Sequence, residues 1–147
     1  MKEKILEAAK TIAAPSESSL KEFNEKWEQI AIAGTNHLSS RADYEKLIGK
    51  DNHQMAEDNN RNFPRFMASM FSDYKPEVFF ETVLWVFRAY RSHGFQTTYW
   101  PANLNLWIDL LKKELSPNAF EEIEPFYNWI IVNIPGFVKL TDEELSK

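Results

Sequence analysis

The sequence predicts an all-α protein, and three observations carry that prediction. Apolar residues recur at three- and four-residue spacing through every long segment. Prolines and glycines stand where helices should start and stop. No run of strand periodicity bounded by hairpin turns occurs. The 147 residues give six to eight helices in a single domain, residues 1–147, bundled around a buried central helix at about 76–93. A chain of this length buries a core without cross-links.

The first helix covers about residues 2–13, places Ile5, Leu6, Ala9, Ile12 and Ala13 on one face, and stops before Pro15. Residues 16–19 are a polar link. Ser19 with Glu22 three positions later forms a capping box, after which Leu20, Phe23, Trp27, Ile30 and Ala31 keep helical spacing up to a stop at Gly34. Ser40 and Asp43 cap a short helix through Tyr44, Leu47 and Ile48, closed by Gly49. The next helix opens at Asp51. Pro64 lies inside its pattern and lacks a backbone donor, which predicts a break or kink near residues 62–63.

Pro76 suits the first position of the following helix and Gly94 the residue just past its end. Between them Val78, Phe79, Phe80, Val83, Leu84, Trp85, Val86, Phe87, Ala89 and Tyr90 point in almost every direction around the turn. That predicts a helix sheathed on all sides. Pro101 opens the next helix as its first residue, with Leu104, Trp107, Ile108, Leu111 and Leu115 as its apolar stripe. Ser116 and Pro117 repeat the signal of a cap followed by proline. The last helix carries Phe120, Ile123, Tyr127, Ile130 and Ile131 and ends at Pro135 and Gly136, leaving residues 141–147 as a polar, frayed tail.

Composition narrows the function classes. A net charge of -5 and a pI near 5.3 repel nucleic acid phosphates and anionic membranes, so neither is an expected partner. The absence of cysteine removes disulfides and thiolate metal sites and fits a reducing compartment. The N-terminal segment has charges scattered through it, unlike a signal peptide, and the longest apolar run, residues 83–87, is too short to span a bilayer. These features lead to the expectation of a cytoplasmic protein. Aromatic residues make up 14% of the chain, with 11 Phe and 5 Trp, enough to fill a core, line a cavity or meet a second subunit.

Few residues point to chemistry. His53 and Glu57 share a helical face, but no third ligand stands at metal-site spacing, so no metal site is expected; Glu57 with Arg61 reads as an ordinary ion pair. His37 lies in a polar loop. His93 sits in the last turn of the central helix, where the dipole favours its protonated form and where a histidine is also an ordinary cap. Arg88 and Arg91 are anion-binding candidates, with Arg61 and Arg65 beside the suspected kink; internal salt bridges are the default for all four. Met55, Met67, Met70 and the phenylalanines fit either an adaptable pocket or a plain core. Nucleophile elbows and Gly-rich phosphate loops are missing, which favours a non-enzymatic role.

Residues 89–131 resemble the end of the F helix and the G and H helices of bacterial globins. The resemblance rests on the turn from Tyr90 through Ser92, His93 and Gly94 to Tyr99, Trp100 and Pro101, then Leu104, Leu106, Leu110, Leu111 and Leu115, and Phe126 and Tyr127. Counting back from Pro101, Tyr90 occupies the place of the proximal histidine, with His93 one helical turn later. Globin-like domains without haem serve as sensory modules, so the resemblance implies a regulator that dimerises near its C-terminus. The leading expectation is therefore a non-enzymatic sensory or regulatory homodimer with a protein signalling partner and no cofactor. Its cavity, among Phe66, Met67, Met70, Phe87, Tyr90, His93 and Trp107, would hold an apolar or tetrapyrrole-type ligand. Trp107, Trp129, Phe137 or Phe120 would supply an exposed contact surface. A haem protein using His93 or Tyr90 as axial ligand is the alternative, and an enzyme using His93 with Arg88 and Arg91 on an anionic substrate is the third reading.

Overall fold

The computed structural model describes residues 1–146, which form α1 (Lys2–Lys10), α2 (Glu17–Ser39), α3 (Tyr44–Ile48), α4 (His53–Ser72), α5 (Pro76–Ser92), α6 (Tyr99–Glu114), α7 (Pro117–Val132) and α8 (Ile134–Leu145). No strand occurs among the described residues. The helix at the hub is α2, which packs against α4, α6 and α7, while α5 lies on α1 and α8 at one side. Helix α5 buries Phe79, Phe80, Val83, Leu84 and Phe87. Its other flank is open: Val78 is 42% and Trp85 55% exposed, in line with exposed Glu77, Glu81 and Ser92. The expectation of a helix covered on every side is corrected there, because the two glutamates and the serine fall on the same helical stripe as Val78 and Trp85 and keep it in water.

The aromatic surplus fills the core. Phe79 lies 4.6 Å from Trp129 and 5.7 Å from Phe126, and Phe126 continues through Phe71 to Phe23 at 4.9 and 5.0 Å. A second run joins Trp100, Phe87 and Phe137 at 4.5 and 5.1 Å. These tilted, offset and edge-on arrangements are those that aromatic quadrupoles favour. Trp107, Trp129 and Phe137 are buried and Phe120 is half-buried, so they build the interior and not the exposed contact surface expected of them.

Several helix boundaries follow local chemistry. Pro76 starts α5, and Gly94 follows its last turn with φ 104, a conformation glycine adopts freely. Gly49, at φ 87, closes α3 so tightly that a Cβ would meet the Gly94 carbonyl oxygen at 2.9 Å. Other boundaries depart from expectation. Helix α2 runs through Gly34, whose cost of about 1 kcal/mol is offset by burying Leu38 in the turn beyond. Helix α4 continues unbroken past Pro64, which is buried and deprives only the Asn60 carbonyl of its usual partner. Pro101 is the third residue of α6 rather than the first, still within the turn whose N–H groups have no helical acceptor. Pro135 does not end the helical structure; it sits in the first turn of α8. The frayed tail is corrected as far as Leu145: Leu140 and Thr141 are buried, and Thr141 Oγ1 donates to the Phe137 carbonyl at 2.7 Å. Lys147, the last residue of that expected tail, lies outside the described residues.

The capping box at Ser19 is also corrected. Ser16 is the N-cap of α2, accepting from the Ser19 N–H at 3.3 Å, and Ser116 caps α7 in the same way from Ala119 at 3.2 Å. Each cap is completed by the other helix. Glu22 of α2 accepts from the Ser116 N–H at 2.5 Å, and Glu122 of α7 accepts from the Ser16 N–H at 2.6 Å and the Ser19 hydroxyl at 2.7 Å. The carboxylates thus meet the positive ends of two helix dipoles.

Hydrogen bonds from the Ser19 hydroxyl, first, and the Ser16 N–H hold the Glu122 carboxyl below the usual carboxylate range. A lowered folded value means that the unfolded chain binds the proton first, so this stabilisation is full above about pH 4.3 and fades as acid carries the pH through the folded value. Thermal melts followed by circular dichroism from about pH 6 to about pH 3 should show the midpoint falling, and falling less steeply in Glu122→Gln. Equal slopes in the two proteins would refute this assignment.

Candidate functional site

The residues expected to share one cavity are spread through the core. Met67 and Met70 are buried, Phe66 stacks between Phe63 and Phe79 at 5.8 and 6.2 Å, and Phe87 is sandwiched by Trp100 and Phe137. Tyr90 packs on Phe95 and Trp100, while His93 is exposed with Nδ1 2.9 Å from the Ala89 carbonyl. Trp107 borders a small pocket described below. Arg88 and Arg91 are occupied within the chain: Arg88 pairs with Glu144 at 2.6 Å and Arg91 with Asp142 at 2.7 Å, while Arg91 also donates to Thr141 Oγ1 at 2.7 Å. They fasten α8 onto α5, the default reading of these arginines.

Haem does not fit these residues. An axial ligand must face a slot, yet His93 lies on the surface against its own helix and the half-buried Tyr90 ring packs against Phe95 and Trp100. Burial, then the Asp58 carboxylate, pushes the Tyr90 phenol up, which opposes the tyrosinate that iron uses.

The larger opening lies between α2 and α4, a surface groove of about 390 Å³. Trp27, Ala31, Ile32, Thr35 and Asn36 recur along one edge of α2, with Glu28 at the rim; Glu57, Arg61 and Arg65 stand one turn apart on α4. Trp27 and Ala31 form a buried floor, and Ile32 is 65% exposed. The Arg65 guanidinium lies over the Trp27 ring, 5.4 Å from its centroid, a cation–π contact. Arg65 has no carboxylate partner among the described residues, whereas Arg61 pairs with Asp58 and not with Glu57 as expected. Glu57 lines the same groove and makes no ion pair among the described residues.

Behind the groove wall runs a buried polar network. Asn60 donates to Thr35 Oγ1 at 3.1 Å and accepts from Trp107 Nε1 at 3.1 Å and Asn103 Nδ2 at 3.2 Å, while Asn59 donates to the Tyr99 hydroxyl at 3.0 Å. Thr35 belongs to both the groove and this network. The sequence reading missed Glu28, Ile32, Thr35 and Asn36. An isoleucine on the polar side of α2 was their one visible signal.

Fold and site together define an all-helical protein with an amphiphilic surface groove. Comparison with protein-family models, curated proteins and solved structures gives no match. No helix is long and apolar enough to cross a membrane, and no group of three or more metal-ligating His, Asp or Glu side chains occurs among the described residues.

Proposed function

We propose that this is a non-enzymatic sensory or regulatory protein that binds a small amphiphilic anion in the groove between α2 and α4. The observation that carries the reading is an open groove of about 390 Å³, within the size range of small-molecule sites, in which an apolar floor meets an arginine with no carboxylate partner. The ligand's apolar body rests on Trp27, Ala31 and Ile32, and its anionic group meets Arg65. Glu57 repels that group from the opposite end and fixes the orientation.

Titration with anilinonaphthalene sulfonate, followed by its fluorescence and by calorimetry, tests this. Binding should saturate at one molecule per chain, and Arg65→Ala should weaken it roughly tenfold, the ratio for about 1.4 kcal/mol of lost charge-assisted contact. Phenylnaphthylamine, which has the same rings without the sulfonate, should bind more weakly and ignore the substitution. Equal affinity for the two dyes, or an Arg65→Ala protein that binds the sulfonate unchanged, would sink the proposal.

A further inference from the structure

Asn60 and Asn103 are 3% and 4% exposed, and their amide orientations are fixed by their neighbours. An indole nitrogen only donates, so the Asn60 atom 3.1 Å from Trp107 Nε1 is the carbonyl oxygen. The Asn60 amide nitrogen then faces Thr35, and Asn103 must offer its own amide nitrogen to the same Asn60 oxygen. The Asn103 Oδ1 is thereby turned away, buried and without a donor from the protein. Native interiors seldom leave such an acceptor unmatched.

Beside it α4, α6 and α7 line a partly open pocket of about 20 Å³, bordered by Asn60, Pro64, Asn103, Trp107 and Tyr127 among others. Pro64, which has no N–H to give the Asn60 main-chain carbonyl, borders the same pocket. Tyr127 is buried, its hydroxyl makes no hydrogen bond among the described residues, and burial pushes the phenol up so that it stays a donor. One water needs about 10–15 Å³ of such volume and two to four polar partners; this pocket has room for one.

We infer that the pocket binds a single structural water that donates to Asn103 Oδ1 and to the Asn60 carbonyl and accepts from the Tyr127 hydroxyl. The water completes a polar path across the bundle, from Thr35 at the groove wall through Asn60 and Asn103 to Tyr127 on α7.

A crystal structure at about 1.5 Å should show one isolated density peak at hydrogen-bond distance, roughly 2.7–3.2 Å, from Asn103 Oδ1. Oxygen-17 relaxation dispersion on the same protein should count one more long-lived water than on Asn103→Leu, and Tyr127→Phe should shorten that water's residence time. If Asn103→Leu does not fold, the wild-type density and the Tyr127→Phe measurement decide. Well-ordered density with no peak there overturns the inference. So does a direct bond to Asn103 Oδ1 from the indole N–H of Trp100, the other buried donor without a partner.

Discussion

Phe79→Ala should cost about 4 kcal/mol of folding free energy, within the range of roughly 3–5 for deleting a fully buried phenylalanine. The ring is 0% exposed and touches the rings of Phe66, Tyr74, Phe126 and Trp129, which come from three other parts of the chain. Trp129 and Tyr74 are not free to collapse into the gap, because each is held on its far side. Trp129 donates to the Ile5 carbonyl at 3.0 Å and Tyr74 to the Ala9 carbonyl at 2.5 Å, both on α1. The cavity therefore persists, and its cost adds to the lost burial. Urea denaturation gives the value directly. A loss under about 1.5 kcal/mol would show that the aromatic cluster repacks and that its hub lies elsewhere.

Asn60→Ala should cost about 3 kcal/mol, although it removes a polar side chain and not an apolar one. The substitution strands the Trp107 indole and the Asn103 amide as buried donors, and each unmatched group carries a penalty of about 1–3 kcal/mol. Part of that is recovered if water enters the space left behind. Asn103→Ala in the Asn60→Ala background should then cost less than it does in the wild type, since the two changes share one network. Strict additivity in this cycle would show that the two amides act independently.

What was legible in the sequence is what local chemistry decides. Pro76 with Gly94 bounds α5, Ser116 with Pro117 opens α7, and Gly49 closes α3, because each signal acts within one turn of its residue. What was not legible depends on partners distant in the chain. Glu22 looked like the box partner of Ser19 but serves Ser116, 94 residues away. Asn59 and Asn60 are polar and stand just before the break expected near residues 62–63, yet both are buried, because Tyr99, Thr35, Asn103 and Trp107 meet them from α2 and α6. The groove belongs to neither helix alone; its floor comes from α2 and its charges largely from α4, so no spacing within one segment could announce it. The open flank of α5 was hidden for another reason: counting apolar residues around a wheel does not weigh the glutamates and serine that share their stripe.

The exchanged carboxylates at Ser16 and Ser116 have a consequence for how the chain acquires its shape. The opening turn of α2 is finished by a side chain more than a hundred positions downstream, and that of α7 by one almost as far upstream. Neither start is complete until the two segments have met. The pair thus works as a mutual latch: it adds nothing to an early, isolated helix, rewards only the assembled bundle, and lets the two ends come undone together rather than one by one.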